Sequence, residues 1–243
     1  MRKSTVLFTF ALALGAVFHT PGAGANEPTK ITECGTIVRP GSYVLTKNLT
    51  AAGDCLVVNA DFVSIDLAGF LITGDGTGAG IRADPVGPES AQGIAVRNGT
   101  IAGFEFGVAM IAIGSIVEGV RAVGNSSTGI FTSGIVRNNT AVGNRIHGII
   151  ATGTVSGNIA EDNDQNGIFG AGTVSGNTAR RNRGGGIGAG GGSTVSGNTA
   201  EGNGQGISVS CPSNVIGNTA TNNAGGNLVL GGEGCNNIDN LAP

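Results

Sequence analysis

The side chains best suited to chemistry gather in one stretch near the middle of the sequence. Arginine, histidine and carboxylate groups placed close together can bind an acidic sugar or move a proton. The candidate binding residues are Arg145, His147, Asp162, Asp164, Arg181 and Arg183. No residue is assigned a catalytic role, because a catalytic base needs a positioned partner. His147 shares its place in a repeat with an asparagine, a glycine and a glutamine in the following copies.

Three oxygen-bearing side chains in this stretch also have the spacing of a calcium loop. Asp162, Asp164 and Asn166, followed by Gly167, fit the pattern D-x-D-x-N-G that begins an EF-hand-type loop. The twelfth position, where such a loop needs a glutamate, is Thr173. Nearby arginines would also compete for the two carboxylates. We therefore predict that the protein needs no cofactor, with Ca²⁺ as the alternative for this segment.

The same charges have a structural interpretation when they are compared at the spacing of the repeat. Residues of opposite sign then occupy equal positions in successive copies, and such pairs on neighbouring strands are worth roughly 0.2–1 kcal/mol each. The sets are Arg145, Asp164 and Arg183; Glu161, Arg180 and Glu201; and Asp162 with Arg181. A ladder of ion pairs is the preferred interpretation, and a polar substrate groove is the alternative.

The repeat itself is clearest in the second half of the sequence. Gly-Ile pairs begin copies at Gly129, Gly148, Gly167, Gly186 and Gly206, and fainter copies lie upstream. Each copy holds two or three short apolar runs separated by asparagine and glycine, and it is too short to bury its apolar face alone. Stacked copies would bury these faces against one another. The pattern predicts an all-β solenoid of parallel strands, with about seven to nine coils of 19–21 residues.

Several columns recur in register, and each has a predicted role. Isoleucine and valine would fill the interior, and alanine would stand where the wall narrows. Asparagine would turn the corners, because it tolerates the left-handed backbone and because stacked amides can hydrogen-bond along a column. The columns are Ile130, Ile149, Ile168, Ile187 and Ile207; Val136, Val155, Val174, Val195 and Val215; Ala160, Ala179, Ala200 and Ala220; Asn139, Asn158, Asn177, Asn198 and Asn218; and Asn144, Asn163, Asn182, Asn203 and Asn223.

These asparagine-rich coils, together with residues Gly35 to Gly74, resemble the single-stranded right-handed parallel β-helix proteins of the pectin-lyase-like superfamily. The resemblance implies a polysaccharide as the class of ligand. The superfamily includes lyases, hydrolases, epimerases and non-catalytic members, so the activity has to be argued from a site.

Motifs that the resemblance would place in an active site are missing. The hydrolases carry Asp-Asp pairs with G-H-G and R-I-K segments, and the epimerases carry a D-P-H-D-type segment; this chain has only the R-I-H-G of residues 145–148. Inverting hydrolysis needs two carboxylates at a defined separation. We therefore expect a non-catalytic binding or scaffold protein of the cell envelope with a polysaccharide ligand. The alternative is a lyase-like polysaccharide-active enzyme.

The ends of the sequence indicate an exported protein. A basic start, an apolar run from Val6 to Phe18 and the small residues Ala23 to Ala25 predict a signal peptide over residues 1–25. The rest is divided into an N-terminal cap and first coil (26–60), the parallel β-helix (61–230) and a C-terminal tail or cap (231–243). We expect a secreted or periplasmic location and no membrane span. The net charge of −3 argues against a nucleic-acid partner, and the oligomeric state is not predicted.

All four cysteines lie after the signal segment, as expected for disulfides in an oxidising compartment. Three connectivities are possible. Because the cysteines form two sequence-local pairs at opposite ends of the chain, we predict Cys34–Cys55 and Cys211–Cys235.

Two further features bear on a ligand surface. The longest insertion runs from Gly74 to Gln92, and its Asp75, Asp84 and Glu89 would line a groove beside Arg82. The chain has no Trp and a single Tyr, Tyr43. A carbohydrate surface is therefore expected to rely on hydrogen bonds and to bind weakly.

Overall fold

The computed structural model describes residues 27–83 and 91–243. The predicted signal peptide lies outside the described residues, as do Asp84 and Glu89 of the predicted groove. All regular secondary structure within the described ranges is β, and the strands stack in parallel as a β-solenoid of about nine turns. The predicted fold class and the upper end of the predicted coil number are thus confirmed.

The strands are short, most of them three to eight residues long. In chain order they are β1 (Thr29–Ile31), β2 (Gly35–Ile37), β3 (Gly41–Leu45), β4 (Leu49–Thr50), β5 (Leu56–Val58), β6 (Val63–Asp66), β7 (Leu71–Thr73), β8 (Ala79–Ala83), β9 (Ala95–Ala102), β10 (Phe106–Met110), β11 (Ile116–Val123), β12 (Thr128–Thr132), β13 (Ile135–Arg137), β14 (Thr140–Val142), β15 (Ile149–Ser156), β16 (Ile159–Glu161), β17 (Ile168–Ser175), β18 (Thr178–Arg180), β19 (Gly185–Ala189), β20 (Thr194–Ser196), β21 (Thr199–Glu201), β22 (Gln205–Ser210), β23 (Asn214–Ile216), β24 (Thr219–Thr221), β25 (Leu228–Gly231) and β26 (Asn236–Ile238).

Pairing between coils arranges these strands into three faces. The first face runs through β2, β5, β8, β10, β12, the start of β15 and of β17, β19, β22 and β25. The second face includes β3, β6, the start of β9 and of β11, β13, the end of β15 and of β17, β20, β23 and β26. The third includes β4, β7, the end of β9 and of β11, β14, β16, β18, β21 and β24.

The interior consists of the columns that the sequence predicts. Alternation along each strand sends one apolar side chain inward, where it packs on its equivalents above and below. The isoleucine, valine and alanine columns are buried along their whole length, and the isoleucine column continues upstream through Val108, Ile81 and Leu56. The predicted core assignment is confirmed.

The two asparagine columns also point inward, and each forms a continuous hydrogen-bonded ladder. In both ladders, Nδ2 of one asparagine donates to Oδ1 of the next at 2.8–3.0 Å. The first ladder contains Asn139, Asn158, Asn177, Asn198, Asn218 and Asn240; the second contains Asn125, Asn144, Asn163, Asn182, Asn203, Asn223 and Asn227. The prediction of stacked amides is confirmed.

The prediction that these asparagines adopt the left-handed backbone is wrong. The residue immediately before each ladder asparagine has the positive φ, as at Gly157, Asn138, Asp162 and Arg181. The reason is geometric: the left-handed residue turns the chain, and the next side chain then points into the solenoid, where its amide finds partners. Sequence reasoning placed both roles on one residue.

The glycine that opens each copy is required by the second ladder. A Cβ at Gly148 would lie 2.5 Å from the carbonyl oxygen of Gly167 and 2.8 Å from Nδ2 of Asn163. Gly129, Gly167, Gly186 and Gly206 have equivalent neighbours. No larger residue fits at this corner unless the backbone of the adjacent coil moves.

Both predicted disulfides are present, and they lie at opposite ends of the solenoid. Cys34 bonds to Cys55 and Cys211 bonds to Cys235, across sequence separations of 21 and 24 residues. Each bridge links a coil with the next one, at an end where stacking is one-sided.

Candidate functional site

The predicted charged residues lie at the corner that leads from the third face to the first, and most of them are joined in ion pairs between coils. Nε and Nη2 of Arg181 donate to the two carboxylate oxygens of Asp162, both at 2.9 Å. Nη1 of Arg183 lies 3.0 Å from Oδ1 of Asp164. Within the described residues Arg145 has no ion pair. The predicted ladder of opposite charges is therefore present between Asp162 and Arg181 and between Asp164 and Arg183, and it does not extend to Arg145.

A second row of charges lies beside the first, on the outer side of the third face. Arg180 lies between Glu161 and Glu201, with N–O distances of 3.9 and 3.6 Å, and Nη2 of Arg181 also donates to Glu161 at 3.3 Å. Together with the first row, these side chains make four arginines and four acids. The corner is thus internally neutral.

The pair Asp162–Arg181 is the most strongly coupled part of the corner. The hydrogen bond from Arg181 lowers the pKa of the Asp162 carboxyl, and Asp162 in turn raises the pKa of the guanidinium. Both residues have positive φ, 55° and 51°, where the equivalent positions of other coils hold glycine or asparagine. The bidentate contact is made between two side chains that are largely exposed, so its net stabilisation is small.

The oxygens of the calcium candidate face different partners. The carboxylate of Asp162 accepts from Arg181, that of Asp164 pairs with Arg183, and Oδ1 of Asn166 accepts the backbone N–H of Gly185 at 2.7 Å. In the described part of the chain, no three acidic, cysteine or histidine side chains form a group that could hold a metal ion.

His147 is half-buried and faces the next coil. Its Nδ1 accepts the backbone N–H of Asn166 at 3.3 Å, and burial lowers the pKa of the imidazole below its usual 6.5. Because Nδ1 must be unprotonated to accept this bond, the proton of the neutral ring lies on Nε2, which is then a hydrogen-bond donor and not a base.

A feature that the sequence analysis did not assign lies on the outer wall of the first face. Phe131, Ile150 and Phe169 are in register on three successive coils and point away from the core. In the preceding coil the in-register residue is Ala109, and Phe106, which pairs with Thr128, lies beside the row with its ring centroid 6.4 Å from that of Phe131. We call these four side chains the outer stripe. Phe169 at its end is 41% exposed.

The stripe ends at a shallow pocket. The next two positions in the column of Phe169 are Gly188 and Ser208, so the wall steps inward beyond the phenylalanine ring. A cavity of about 160 Å³ lies there. Its lining includes Asn166, Phe169, Gly188, Gln205, Ser208 and Ser210. We call this the Gly188 pocket.

The outer stripe had a signal in the sequence. The residue after each Gly-Ile start is Phe131, Ile150 and Phe169 in three consecutive copies, at the position that alternation sends outward.

The predicted groove at the insertion is only partly described. Asp75 folds back onto its own turn, where its carboxylate accepts from the hydroxyl and backbone N–H of Thr77; these bonds lower the pKa of Asp75. Nε of Arg82 donates to Asp54 at 2.9 Å.

Comparison with known proteins yields a fold relation only. No protein-family model and no curated protein matches this sequence. A mutant of the periplasmic alginate epimerase AlgG superposes with a TM-score of 0.51 at 14% identity, over 84% of this chain and 74% of that chain. The unmodified AlgG structure gives a TM-score of 0.47 at 15% identity, over 84% and 74% of the respective chains. The chain is therefore a parallel β-helix repeat protein.

Two features bear on the compartment. The two disulfides are those of a protein from an oxidising, extracellular or periplasmic environment. Among the residues with described positions, none forms a helix long and apolar enough to cross a bilayer.

Proposed function

We propose that this protein is an exported, non-catalytic β-helix that binds a polysaccharide along the outer wall of its first face. The observation that carries the proposal is the outer stripe. Phe131, Ile150 and Phe169 are in register on three successive coils, Phe106 packs beside Phe131, and the row leads into the Gly188 pocket. Contiguous apolar side chains on an outer surface are typical of a ligand-binding surface, whereas single exposed ones are ordinary.

The geometry of the stripe suits a chain-like ligand with ring faces. Strands of adjacent coils lie about 4.8 Å apart, so Phe131, Ile150 and Phe169 extend over about 10 Å along the solenoid axis. An aromatic face packs against the C–H face of a sugar ring, while amides and hydroxyls at the edges bond its OH groups. Asn166, Gln205 and Ser208 supply such groups beside Phe169.

The charged corner is assigned a structural role in this proposal. Three of its four arginines, Arg180, Arg181 and Arg183, face carboxylates of an adjacent coil, so an acidic ligand that binds them would first have to break existing pairs. Its ion pairs connect successive coils on the exposed side of the second asparagine ladder.

The alternative, a lyase-like activity, needs a base beside the substrate. The Nδ1 hydrogen bond of His147 leaves only a donor nitrogen free, which supports binding over proton abstraction. The structural neighbour AlgG is an alginate epimerase, and we include alginate among the test ligands for that reason.

The proposal is tested by affinity electrophoresis in native gels that contain soluble polysaccharides: galactomannan, hydroxyethylcellulose, alginate and polygalacturonate. We expect at least one of these to retard the protein. Phe131→Ala and Phe169→Ala should reduce the retardation by roughly tenfold in apparent affinity each.

The matched control is Ile159→Ala, on the third face. Ile159 is 41% exposed, the same fraction as Phe169, and it also lies on an outer wall. Equal effects of the Phe169 and Ile159 substitutions, or no retardation by any of the four polymers, would contradict the proposal. An absorbance increase at the wavelength of unsaturated uronates, with alginate or polygalacturonate as substrate, would favour the lyase alternative.

A further inference from the structure

The Gly188 pocket is bordered by hydrogen-bonding groups that are not used within the described part of the protein. Oδ1 of Asn166 accepts from Gly185, but its Nδ2 donates to no described residue. The side chains of Gln205 and Ser208 likewise make no hydrogen bond within the described chain, and neither does Oγ of Ser210. Two amides and two hydroxyls therefore border one small cavity, and among their side-chain donors and acceptors only Oδ1 of Asn166 is already bonded.

The pocket is shaped by the absence of a side chain at one position. Gly188 stands in the outer column between Phe169 and Ser208, and its backbone does not require glycine, since its φ is not positive. A Cβ there would approach Cδ2 of Phe169 to 2.8 Å. A larger residue would thus displace the phenylalanine ring and occupy the space beside it.

The size of the cavity limits what it can hold. At about 160 Å³ it is smaller than the roughly 300–1,000 Å³ of pockets that enclose drug-sized ligands. A single ring of a longer chain, with the remainder lying along the outer stripe, is a ligand of suitable size.

The chemistry of the lining limits the charge of that ring. None of the residues around the pocket ionises, and no arginine or lysine borders it. A carboxylate placed there would lose water without gaining a cation, which is costly. The nearest basic side chains along the chain, Arg181 and Arg183, are already paired with Asp162 and Asp164.

We infer that the Gly188 pocket is a subsite for one uncharged, hydroxyl-rich sugar ring, so that the ligand is a neutral polysaccharide and not a polyuronate. This inference rests on the proposed function and specifies its ligand. Phe169 packs on one face of the ring, and Asn166, Gln205 and Ser208 bond the hydroxyls at its edge.

The test uses the same gels with neutral and acidic polymers, each run at low salt and at about 0.15 M NaCl, where exposed charges are screened. Galactomannan or hydroxyethylcellulose should retard the protein equally at both salt concentrations. Gly188→Val, which fills the pocket, and Gln205→Ala, which removes an amide without adding bulk, should each weaken this retardation by roughly tenfold. Ser196→Val, on the outer side of the second face, is the control and should have no effect.

The outcomes separate the inference from the proposed function. Retardation by alginate or polygalacturonate alone, reduced by salt and by Phe131→Ala, would overturn the inference of a neutral ligand. The proposed function, polysaccharide binding on the outer wall of the first face, would still be supported. Retardation by a neutral polymer that is unchanged in both Gly188→Val and Gln205→Ala would overturn the subsite alone. If no polymer of either class binds, both fall. Thermal melting of every variant shows whether a loss of binding is a loss of fold.

Discussion

The coils up to Met110 and those from Ile116 onward share one strand pattern but fill the interior in different ways. In the N-terminal coils the third face contributes Leu49, Ile72 and Ile101 to the core. In the C-terminal coils the same column continues as alanine, from Ala122 to Ala220. The change coincides with the start of the second asparagine ladder.

The difference shows how the two ladders and the alanine column depend on one another. Inward-pointing asparagines occupy volume that aliphatic side chains fill elsewhere, so the wall between the ladders narrows and takes the smallest side chain. Phe104 illustrates the boundary, because its backbone N–H donates to Oδ1 of Asn125, the first amide of the second ladder. The N-terminal coils are stabilised mainly by buried aliphatic side chains, and the C-terminal coils also by the hydrogen bonds of the amide ladders.

Coil length follows the same division. The partners Leu56 and Ile81 are 25 residues apart and Ile65 and Val96 are 31 apart, whereas Val136 and Val155 are 19 apart. An amide ladder requires each coil to present its asparagine in register, which leaves little room for insertions at the corners. The regular wall that carries the outer stripe is built on these uniform coils.

The largest effect is expected from a break in a ladder. Asn177 is buried, donates to Asn198 and to the carbonyl of Val155, and accepts two bonds from Asn158. Asn177→Val leaves several buried polar groups unpaired, and we expect a loss of about 4 kcal/mol of unfolding free energy. Chemical denaturation measures it, with the adjacent outward-facing Thr178→Val as control. A loss below about 1 kcal/mol would contradict the role of the ladder.

The N-terminal coils should be destabilised by a loss of core volume, and the C-terminal coils by a gain of core volume. Ile101→Ala opens a cavity in an aliphatic coil and should cost about 3 kcal/mol. Ala160→Ile adds volume between two ladders and should cost about 2 kcal/mol through overpacking. If Ala160→Ile were neutral or stabilising in denaturation experiments, the interior of the C-terminal coils would not be as narrow as we describe.

The charged corner should contribute little to stability. Arg183 and Asp164 are exposed, with side-chain accessibilities of 79% and 43%, so Asp164→Asn should change the unfolding free energy by less than about 1 kcal/mol. The same variant tests the calcium alternative. A melting temperature that rises with Ca²⁺ in the original protein, and no longer does so in Asp164→Asn, would replace the ion-pair interpretation with a metal site.

The smallest expected effect is a change of stability with pH near neutrality. Because the folded state lowers the pKa of His147, the unfolded chain binds more protons just below pH 6.5, and stability falls as the pH drops through this range. The carboxyls with lowered pKa, such as Asp66 and Asp162, act at lower pH, below about 4. His147→Gln should remove the dependence between about pH 5 and 7 in thermal melts. An unchanged slope in this variant would show that another group titrates there.

The sequence was most informative where one residue type has one structural use. The Ile130 and Val136 columns, the disulfides and the amide stacking follow from spacing and from the need to bury apolar or polar groups. The left-handed position was assigned to Asn139 instead of Asn138, because spacing alone does not tell which of two neighbours turns the chain. The N-terminal register was not predictable, since insertions hide the period.

The outer wall of the first face shows a different limit of prediction from sequence. From the sequence alone, Phe131 and Phe169 are apolar residues like those of the core. Only the strand register shows that their side chains lie on the outer wall. The Gly188 pocket arises from a missing side chain beside Phe169 of the preceding coil, and the depth of such a step depends on side-chain positions that a single sequence does not give.

The central claim, that the outer wall of the first face binds a neutral polysaccharide, is tested most directly by backbone amide NMR during titration with galactomannan oligosaccharides. We predict concentration-dependent shifts at Phe131, Ile150, Phe169 and Gly188, with the amides of the second and third faces unaffected. Shifts centred on Asp162 and Arg181, or none anywhere in the titration while the intact polymer retards the protein, would contradict it.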